Sequence, residues 1–173
     1  MAACEAILSL GSNQGDRLAW LKRAGLALLA LPRTRLVALS PVYESDPVDV
    51  PETCLALPFL NCVAVLETTL DPSALSDAVH AIEADLGRTR DGTRGQPRTI
   101  DIDIIAFGEL ALNTPALTLP HPRAAARRFV LQPLADLRPG CVLPGQTRTV
   151  AELLGALPPV PSVRRLDGSS SST

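Results

Sequence analysis

The stretch of residues 99–105 places the strongest constraint on how this chain can fold. It reads TIDIDII, and isoleucine alternates with polar residues through its first six positions. A period of two, rich in β-branched residues, predicts a half-buried strand whose isoleucines face a core. Asp101 and Asp103 would then share the opposite face, with Cα atoms about 6.5–7 Å apart.

Two carboxylates held side by side repel each other unless one is protonated or cations lie between them. Oxygen-only ligands of this kind favour hard divalent ions, above all Mg²⁺. Two solvated aspartates on an exposed sheet face are the commoner outcome for an isolated D-x-D pattern. The preceding segment, residues 87–98, carries four arginines and three glycines. This combination favours a site for a metal-bound polyphosphate over the solvated alternative.

Composition limits the class of protein. With 173 residues the chain suits one domain, which we expect over residues 1–167, followed by a disordered serine-rich tail at 168–173. The net charge of −2 argues against a general nucleic-acid or membrane-surface binder. The four cysteines show no metal-ligand spacing, and neither a signal peptide nor a bilayer-spanning run is evident. A reduced, cytoplasmic protein is the expectation.

The order of predicted elements defines the expected fold. Two helices, from 16 to 31 and from 71 to 86, separate strands in the order β-α-β-β-α-β, followed by a hairpin strand at 110–113 and further helices. That is the α+β, ferredoxin-like split arrangement, an antiparallel sheet with helices on one face. The remaining predicted strands are 6–10, 34–45, 59–68 and 99–107, with a short edge strand at 163–166 and a final helix at 149–157.

Several polar residues have two interpretations from spacing alone. Asn61, within an apolar strand, favours a structural hydrogen bond to backbone over recognition of a polar heterocycle. Glu83, near the end of the second helix, favours a surface position over a role in orienting arginines. His121 lies between two prolines, and a lone histidine is usually structural, but the arginines that follow it within two helical turns support contact with an anion. The turn after the first strand, residues 11–13, favours a plain turn over an anion site.

Four segments together resemble a known family. They are Leu10-Gly11-Ser12-Asn13, Phe59-Leu60-Asn61, the run GQPRTIDID at 95–103, and Leu119-Pro120-His121-Pro122-Arg123. In this order, over about residues 5–145, they resemble the motifs of the 6-hydroxymethyl-7,8-dihydropterin pyrophosphokinase (HPPK) family of the folate pathway. The P-R-T-x-D-x-D run is specific, whereas the GSN turn alone is weak.

The resemblance implies transfer of the β,γ-pyrophosphate of ATP to the pterin hydroxymethyl group, with release of AMP. It implies two Mg²⁺ ions held by Asp101 and Asp103, and catalytic roles for Arg88 and Arg98. The pterin contacts that it implies are Ser45, Pro47, Val48, Phe59, Asn61 and Phe129. The ATP contacts that it implies are Arg90, Arg98, His121 and Arg127, with Glu83 as an acid near the arginines. ATP and a reduced pterin are the expected ligands of a monomer.

The chain departs from some family members at three positions. Gly95 stands where they have a tryptophan, Pro122 where they have a tyrosine, and Phe59 where a tyrosine is common. Two other classes compete with a pyrophosphokinase: a nucleotide-sugar transferase, which also uses D-x-D, and a non-enzymatic ferredoxin-like ligand-binding module. The short chain disfavours the first, and the arginines beside the D-x-D disfavour the second.

Overall fold

The computed structural model describes residues 2–89 and 95–166. Its four α-helices are α1 (Arg17–Leu29), α2 (Pro72–Asp85), α3 (Arg128–Leu137) and α4 (Val150–Ala156). Its strands are β1 (Cys4–Ser12), β2 (Thr34–Leu39), β3 (Tyr43–Ser45), β4 (Phe59–Thr68), β5 (Asp101–Phe107), β6 (Leu112–Asn113), β7 (Thr118–Leu119) and β8 (Val163–Arg165). Short 3₁₀ turns cover Glu52–Cys54 and Ala124–Ala126. No helix within the described ranges is long and apolar enough to cross a membrane.

The main sheet has the strand order β5-β1-β4-β3-β8, and β2 also pairs with β4. Every pairing in it is antiparallel. Strand β1 lies between β4 and β5, so that Gly11 faces Asn61 on one side and Asp101 on the other. The fold is therefore a mixed α/β structure on an antiparallel sheet, and its central strands bring the two predicted motifs side by side.

The helices cover both faces of the sheet. Helices α1 and α2 pack on one face, as the sequence predicts, and bury a core that includes Leu8, Leu10 and Ile102. The additional helices α3 and α4 pack on the opposite face, over Ile7 and Ile105. Because side chains alternate along a strand, Asp101 and Asp103 lie on the face that α3 and α4 cover only in part.

Helix α2 starts and stops as its sequence predicts, and its end matters for the site. Asp71 caps the start by accepting a hydrogen bond from the Ala74 N–H at 2.9 Å, with Pro72 in the first turn. At the other end Gly87 has φ +82. The Gly87 and Arg88 N–H groups donate to the carbonyls of Ala84 and Glu83, both at 3.0 Å, which forms a Schellman motif. This turn brings Arg88 back beside the last turn of α2.

Two predictions about the strands are wrong. The strand predicted over 34–45 is two strands, because Pro41 has no N–H to donate and Ser40 instead bonds Val63 through both its backbone and its hydroxyl, at 2.9 Å each. The hairpin predicted at 110–113 does not extend the main sheet. Strand β6 pairs with β7 in a separate two-stranded sheet. The predicted tail lies outside the described residues.

Candidate active site

A cavity of about 780 Å³ opens on the sheet face that carries Asp101 and Asp103. Most of the predicted site residues line it: Ser45, Val48, Phe59, Asn61, Arg88, Arg98, Asp101, Asp103, His121, Arg127 and Phe129. Pro47 is not part of this lining, and Arg90 lies outside the described residues. Residues from four strands, three connecting segments and the first turn of helix α3 thus meet in one cavity.

The floor of the cavity is set by strand register. Asp101, Gly11 and Asn61 lie in one row across β5, β1 and β4. A Cβ on Gly11 would stand 3.2 Å from the Asn61 Oδ1 and 3.6 Å from the Phe59 ring. Glycine at this position therefore leaves room for the amide and the ring to reach the cavity.

The two aspartates have different surroundings. Asp101 pairs with Arg88 at 2.5 Å and with Arg98 at 3.2 Å. Within the described ranges no side chain donates a hydrogen bond to Asp103, and burial followed by the charge of Asp101 raises its pKa to about 6. The carboxylates fit a divalent cation, because a hard positive ion would relieve the repulsion that raises this pKa. Within the same ranges no group of three or more His, Cys, Asp or Glu side chains is arranged to hold a metal.

Glu83 is buried, so the surface position that its spacing favoured is wrong. Only 1% of the residue is exposed. Its carboxylate bonds the Arg88 guanidinium and also accepts from the Ile102 N–H at 2.8 Å. Glu83 therefore holds Arg88 from behind the cavity while the same nitrogen of Arg88 reaches Asp101. This position between helix α2 and strand β5 could not be read from helical spacing.

The amide and aromatic side chains form the other end of the cavity. Asn61, only 3% exposed, donates from Nδ2 to the Ser45 hydroxyl at 2.8 Å, so its partner is a side chain and not the predicted backbone group. The Arg98 guanidinium lies 5.5 Å from the centroid of the Phe59 ring, and Arg127 lies 5.3 Å from that of Phe129. Each ring thus carries an arginine over its face.

The rim near the third helix is strongly cationic. The Arg123 N–H donates to Nδ1 of His121 at 3.2 Å, which leaves Nε2 as the protonated nitrogen of the neutral ring. Burial first, and then the charges of Arg127 and Arg123, lower the pKa of His121, so the ring is neutral at pH 7. The same arginines bond Asp49, at 2.9 Å from Arg123 and 3.3 Å from Arg127.

Asn13 is a second contributor that the sequence interpretation missed, because it was assigned to a plain turn. Its Oδ1 accepts from the Arg98 N–H at 2.8 Å, and its own N–H donates to the Arg98 carbonyl at 3.2 Å. Among the described residues, the buried polar atoms Ser12 Oγ, Asn13 Nδ2, Arg98 Nε and Thr99 Oγ1 find no hydrogen-bond partner. The two-bond clamp holds the backbone of Arg98 at the start of β5.

Comparison with known proteins decides the family. The family model described as 7,8-dihydro-6-hydroxymethylpterin-pyrophosphokinase (HPPK) matches residues 7–139. The chain belongs to the HPPK family. It is 46% identical to the 2-amino-4-hydroxy-6-hydroxymethyldihydropteridine pyrophosphokinase of Pseudomonas aeruginosa over 165 residues, 94% of this chain and 96% of that protein. It is 39% identical to the protein of the same name from Bacillus subtilis over 132 residues, 76% and 77% of the two chains.

The fold agrees with the family at low sequence identity. A crystal structure of Plasmodium falciparum HPPK-DHPS A437G with SDX-DHP has a TM-score of 0.71 at 15% identity. The match covers 88% of this chain and 45% of that chain, so the chain spans less than half the length of that structure. The two proteins therefore share a fold over most of this chain.

The glycine at position 95, where some HPPK members have tryptophan, is explained by its local structure. It has φ +76, and a Cβ there would stand 2.7 Å from the Pro51 ring and 3.1 Å from the Asp49 carbonyl oxygen. Any side chain would therefore be strained and would collide with the segment 49–51. In this HPPK chain a contact between two loops stands where some family members have an aromatic side chain.

A smaller cavity of about 260 Å³ adjoins the first. The two share Asp103 and His121. Its other walls come from α2, β5 and the segment before β7, with apolar side chains such as Val79, Ile104 and Leu117. A cleft of mixed polar and apolar lining thus continues from Asp103 of this HPPK chain toward helix α2.

Proposed function

We propose that this chain transfers pyrophosphate from MgATP to the hydroxymethyl group of 6-hydroxymethyl-7,8-dihydropterin, giving AMP and the pterin diphosphate in folate biosynthesis. The observation that carries the proposal is the single cavity in which a carboxylate pair, Asp101 and Asp103, faces arginines at one side and an amide with two aromatic rings at the other. A metal-bound polyphosphate needs the first set, and a flat polar heterocycle needs the second.

The pterin is assigned to the end that holds Asn61. Its Oδ1 is directed at Gly11, where no side chain blocks it, and its Nδ2 is oriented by Ser45. Phe59 and Phe129 supply ring faces once their arginines leave, and Ser45, Pro47 and Val48 supply the adjoining wall. The amide then reads the heterocycle by hydrogen bonds while the rings stack on it.

The triphosphate is assigned to the cationic side and the nucleoside to the smaller cavity. The two cavities meet at Asp103 and His121, so an extended nucleotide can pass from one to the other. Arg127 and the Nε2–H of His121 face the phosphates in this arrangement, and Arg90 is proposed to join them. The apolar walls Ile104 and Leu117 suit a flat base.

Transfer of a phosphoryl group depends mainly on positioning and on neutralising charge. Asp101 and Asp103 would hold the two proposed Mg²⁺ ions, which would supply Lewis-acid activation and favour ionisation of the attacking hydroxyl. Arg98 is proposed to neutralise the transferring group, because it pairs with Asp101 and its backbone is fixed by Asn13. Arg88, oriented by Glu83, is proposed to assist from the helix side.

The finer structural assignments are also proposals. We assign the fold to the ferredoxin-like split β-α-β-β-α-β class, supported by the strand order β5-β1-β4 with β2 and β3 beyond β4. A single domain over 1–167, a monomer and a cytoplasmic location are proposed with it.

The test is incubation with MgATP and the reduced hydroxymethylpterin, followed by separation of AMP from ADP. We expect AMP, and we expect Asp101→Ala and Asp103→Ala to abolish its formation while the circular dichroism spectrum is kept. Asp77→Ala, at an exposed position on α2, is the matched control and should retain activity. Formation of ADP, or full activity in either aspartate variant, would refute the proposed reaction or the metal assignment.

A further inference from the structure

One carboxylate oxygen at the rim of the cavity is held by two arginines. Oδ2 of Asp49 accepts from Arg123 Nη1 at 2.9 Å and from Arg127 Nη2 at 3.3 Å. Asp49 and Arg123 have side chains 57% and 60% exposed, whereas that of Arg127 is 14% exposed. A negatively charged loop residue therefore pairs with an arginine that lines the wall of the cavity.

The loop that carries Asp49 is fixed in this position by its backbone. Asp49 has φ +55, a left-handed conformation that aspartate and asparagine tolerate better than most residues. The segment 49–51 lies against Gly95, where even a Cβ would stand 3.1 Å from the Asp49 carbonyl oxygen. The loop is therefore held over the cavity, and its carboxylate is directed at the arginines.

The two arginines form a positive region whether or not Asp49 is present. Both lower the pKa of His121, after the effect of burial. Phosphate and carboxylate oxygens present the same kind of acceptor to a guanidinium fork. The Asp49 oxygen thus stands where an oxygen of an anionic ligand would make the same two contacts.

We propose that Arg123 and Arg127 together form a binding site for phosphate oxygens of the triphosphate, and that Asp49 occupies this site as an internal competitor. This rests on the proposed binding of MgATP. The proposal assigns a ligand contact to Arg123. It also assigns to Asp49 an inhibitory contact that binding of the nucleotide breaks. The carboxylate must leave both guanidinium groups before the phosphates can take its place.

An internal competitor reduces the apparent affinity of the protein for its ligand. The intrinsic affinity is multiplied by the fraction of molecules in which the site is free. Exposed ion pairs are weak, so two pairs on one oxygen reduce the affinity by about two- to tenfold. Removing the competitor should therefore tighten binding by that factor. A residue that held the site in its binding geometry would have the opposite effect.

The first experiment compares Asp49→Asn with Glu52→Gln by calorimetry, using MgATP and, separately, inorganic tripolyphosphate. Asparagine suits the same backbone conformation and removes only the charge. Glu52→Gln removes one negative charge from an exposed position in the same loop, and so measures the effect of net charge. We expect Asp49→Asn to tighten both ligands by about two- to tenfold more than Glu52→Gln does. Equal effects of the two variants, or weaker ligand binding by Asp49→Asn, would refute the assignment of Asp49 as a competitor.

The second experiment adds Arg123→Ala to Asp49→Asn. With the competitor already absent, this change removes only the proposed phosphate contact, so tripolyphosphate binding should weaken. Unchanged tripolyphosphate binding would show that Arg123 is not part of the phosphate site. Formation of AMP by the unaltered protein distinguishes failure of the proposed function from failure of this inference. If AMP forms but the variants do not show the expected changes in binding, only this inference fails. Absence of both AMP formation and MgATP binding would refute it together with the proposed function.

Discussion

Replacing Glu83 should destabilise the folded protein more than its place near a helix end suggests. Glu83→Ala removes the buried partner of Arg88 and leaves the Ile102 N–H, in a residue only 4% exposed, without its acceptor. Breaking a buried ion pair typically costs about 3–5 kcal/mol, and an unsatisfied buried N–H about 1–3 kcal/mol. Arg88 keeps Asp101 as a partner, which reduces the first cost. We therefore expect a total of about 3–5 kcal/mol.

The size of this effect can be measured by urea unfolding and by thermal melting. For a chain of this length it corresponds to a decrease in Tm of about 10 °C. Glu83→Gln keeps an oxygen that can accept from Ile102 and removes only the charge, so it should cost about 1–3 kcal/mol. The control is Glu67→Ala, whose side chain is 46% exposed and pairs with Arg35 at 3.2 Å. This exposed pair should contribute less than about 1 kcal/mol. If Glu83→Ala costs no more than Glu67→Ala, Glu83 is not the support for Arg88 that its contacts indicate.

Two further predictions concern the site and its surroundings. Arg98→Ala should lower kcat by about 10²- to 10³-fold and change the Kd of MgATP much less, because its contact strengthens as charge develops; equal losses in the two would mark a uniform binding residue. Burial, and then the hydrogen bond to Asp136 at 2.7 Å, raise the pKa of Tyr43, the one tyrosine of the chain. The folded state thus holds this proton more tightly, so the stabilisation is complete below about pH 10 and is lost as pH rises through the folded-state pKa. Phenolate absorbance should show a midpoint above 10 that decreases in Asp136→Asn; an unchanged midpoint would contradict the contact.

The elements that the sequence predicts well are those with local causes. The strand at 59–68 follows from its apolar run, and α2 follows from Asp71, Pro72 and Gly87, which act on their immediate neighbours. The break at Pro41 could not be placed exactly, because it depends on which partner Ser40 finds on β4. The pairing of β6 with β7 joins residues only five and seven positions apart, but strands of two residues are too short to show a period in the sequence.

The site residues that sequence reasoning missed act through contacts across the chain. Asn13 and Arg98 are 85 residues apart, and Asp49 and Arg127 are 78 apart. Neither pair leaves a periodic signal. The motifs that contain Asn13 and Arg98 both belong to the segments that resemble the family. Their joint appearance is the signal in the sequence that could indicate a contact between them. For Asp49 the only local signal is its place in a long loop, which indicates function without naming a partner.

The packing of α3 and the position of the site are parts of one arrangement. On the sheet face opposite α1 and α2, the residues of strand β1 pass from a covered to an open environment. Ile7 lies under α3 and α4, whereas Ser9 and Gly11 line the open cavity. Strand β5 makes the same change between Ile105 and Asp103.

The covering helix begins at this boundary. Arg127 is the N-cap residue of α3 and Phe129 lies in its first turn, while Val130 and Leu131 are buried against the sheet. Burial of one side of α3 therefore determines where the cationic and aromatic side chains stand relative to Asp103. A substitution that shifts α3 on the sheet should move the proposed phosphate and pterin contacts together, even though the altered side chain lines neither proposed site.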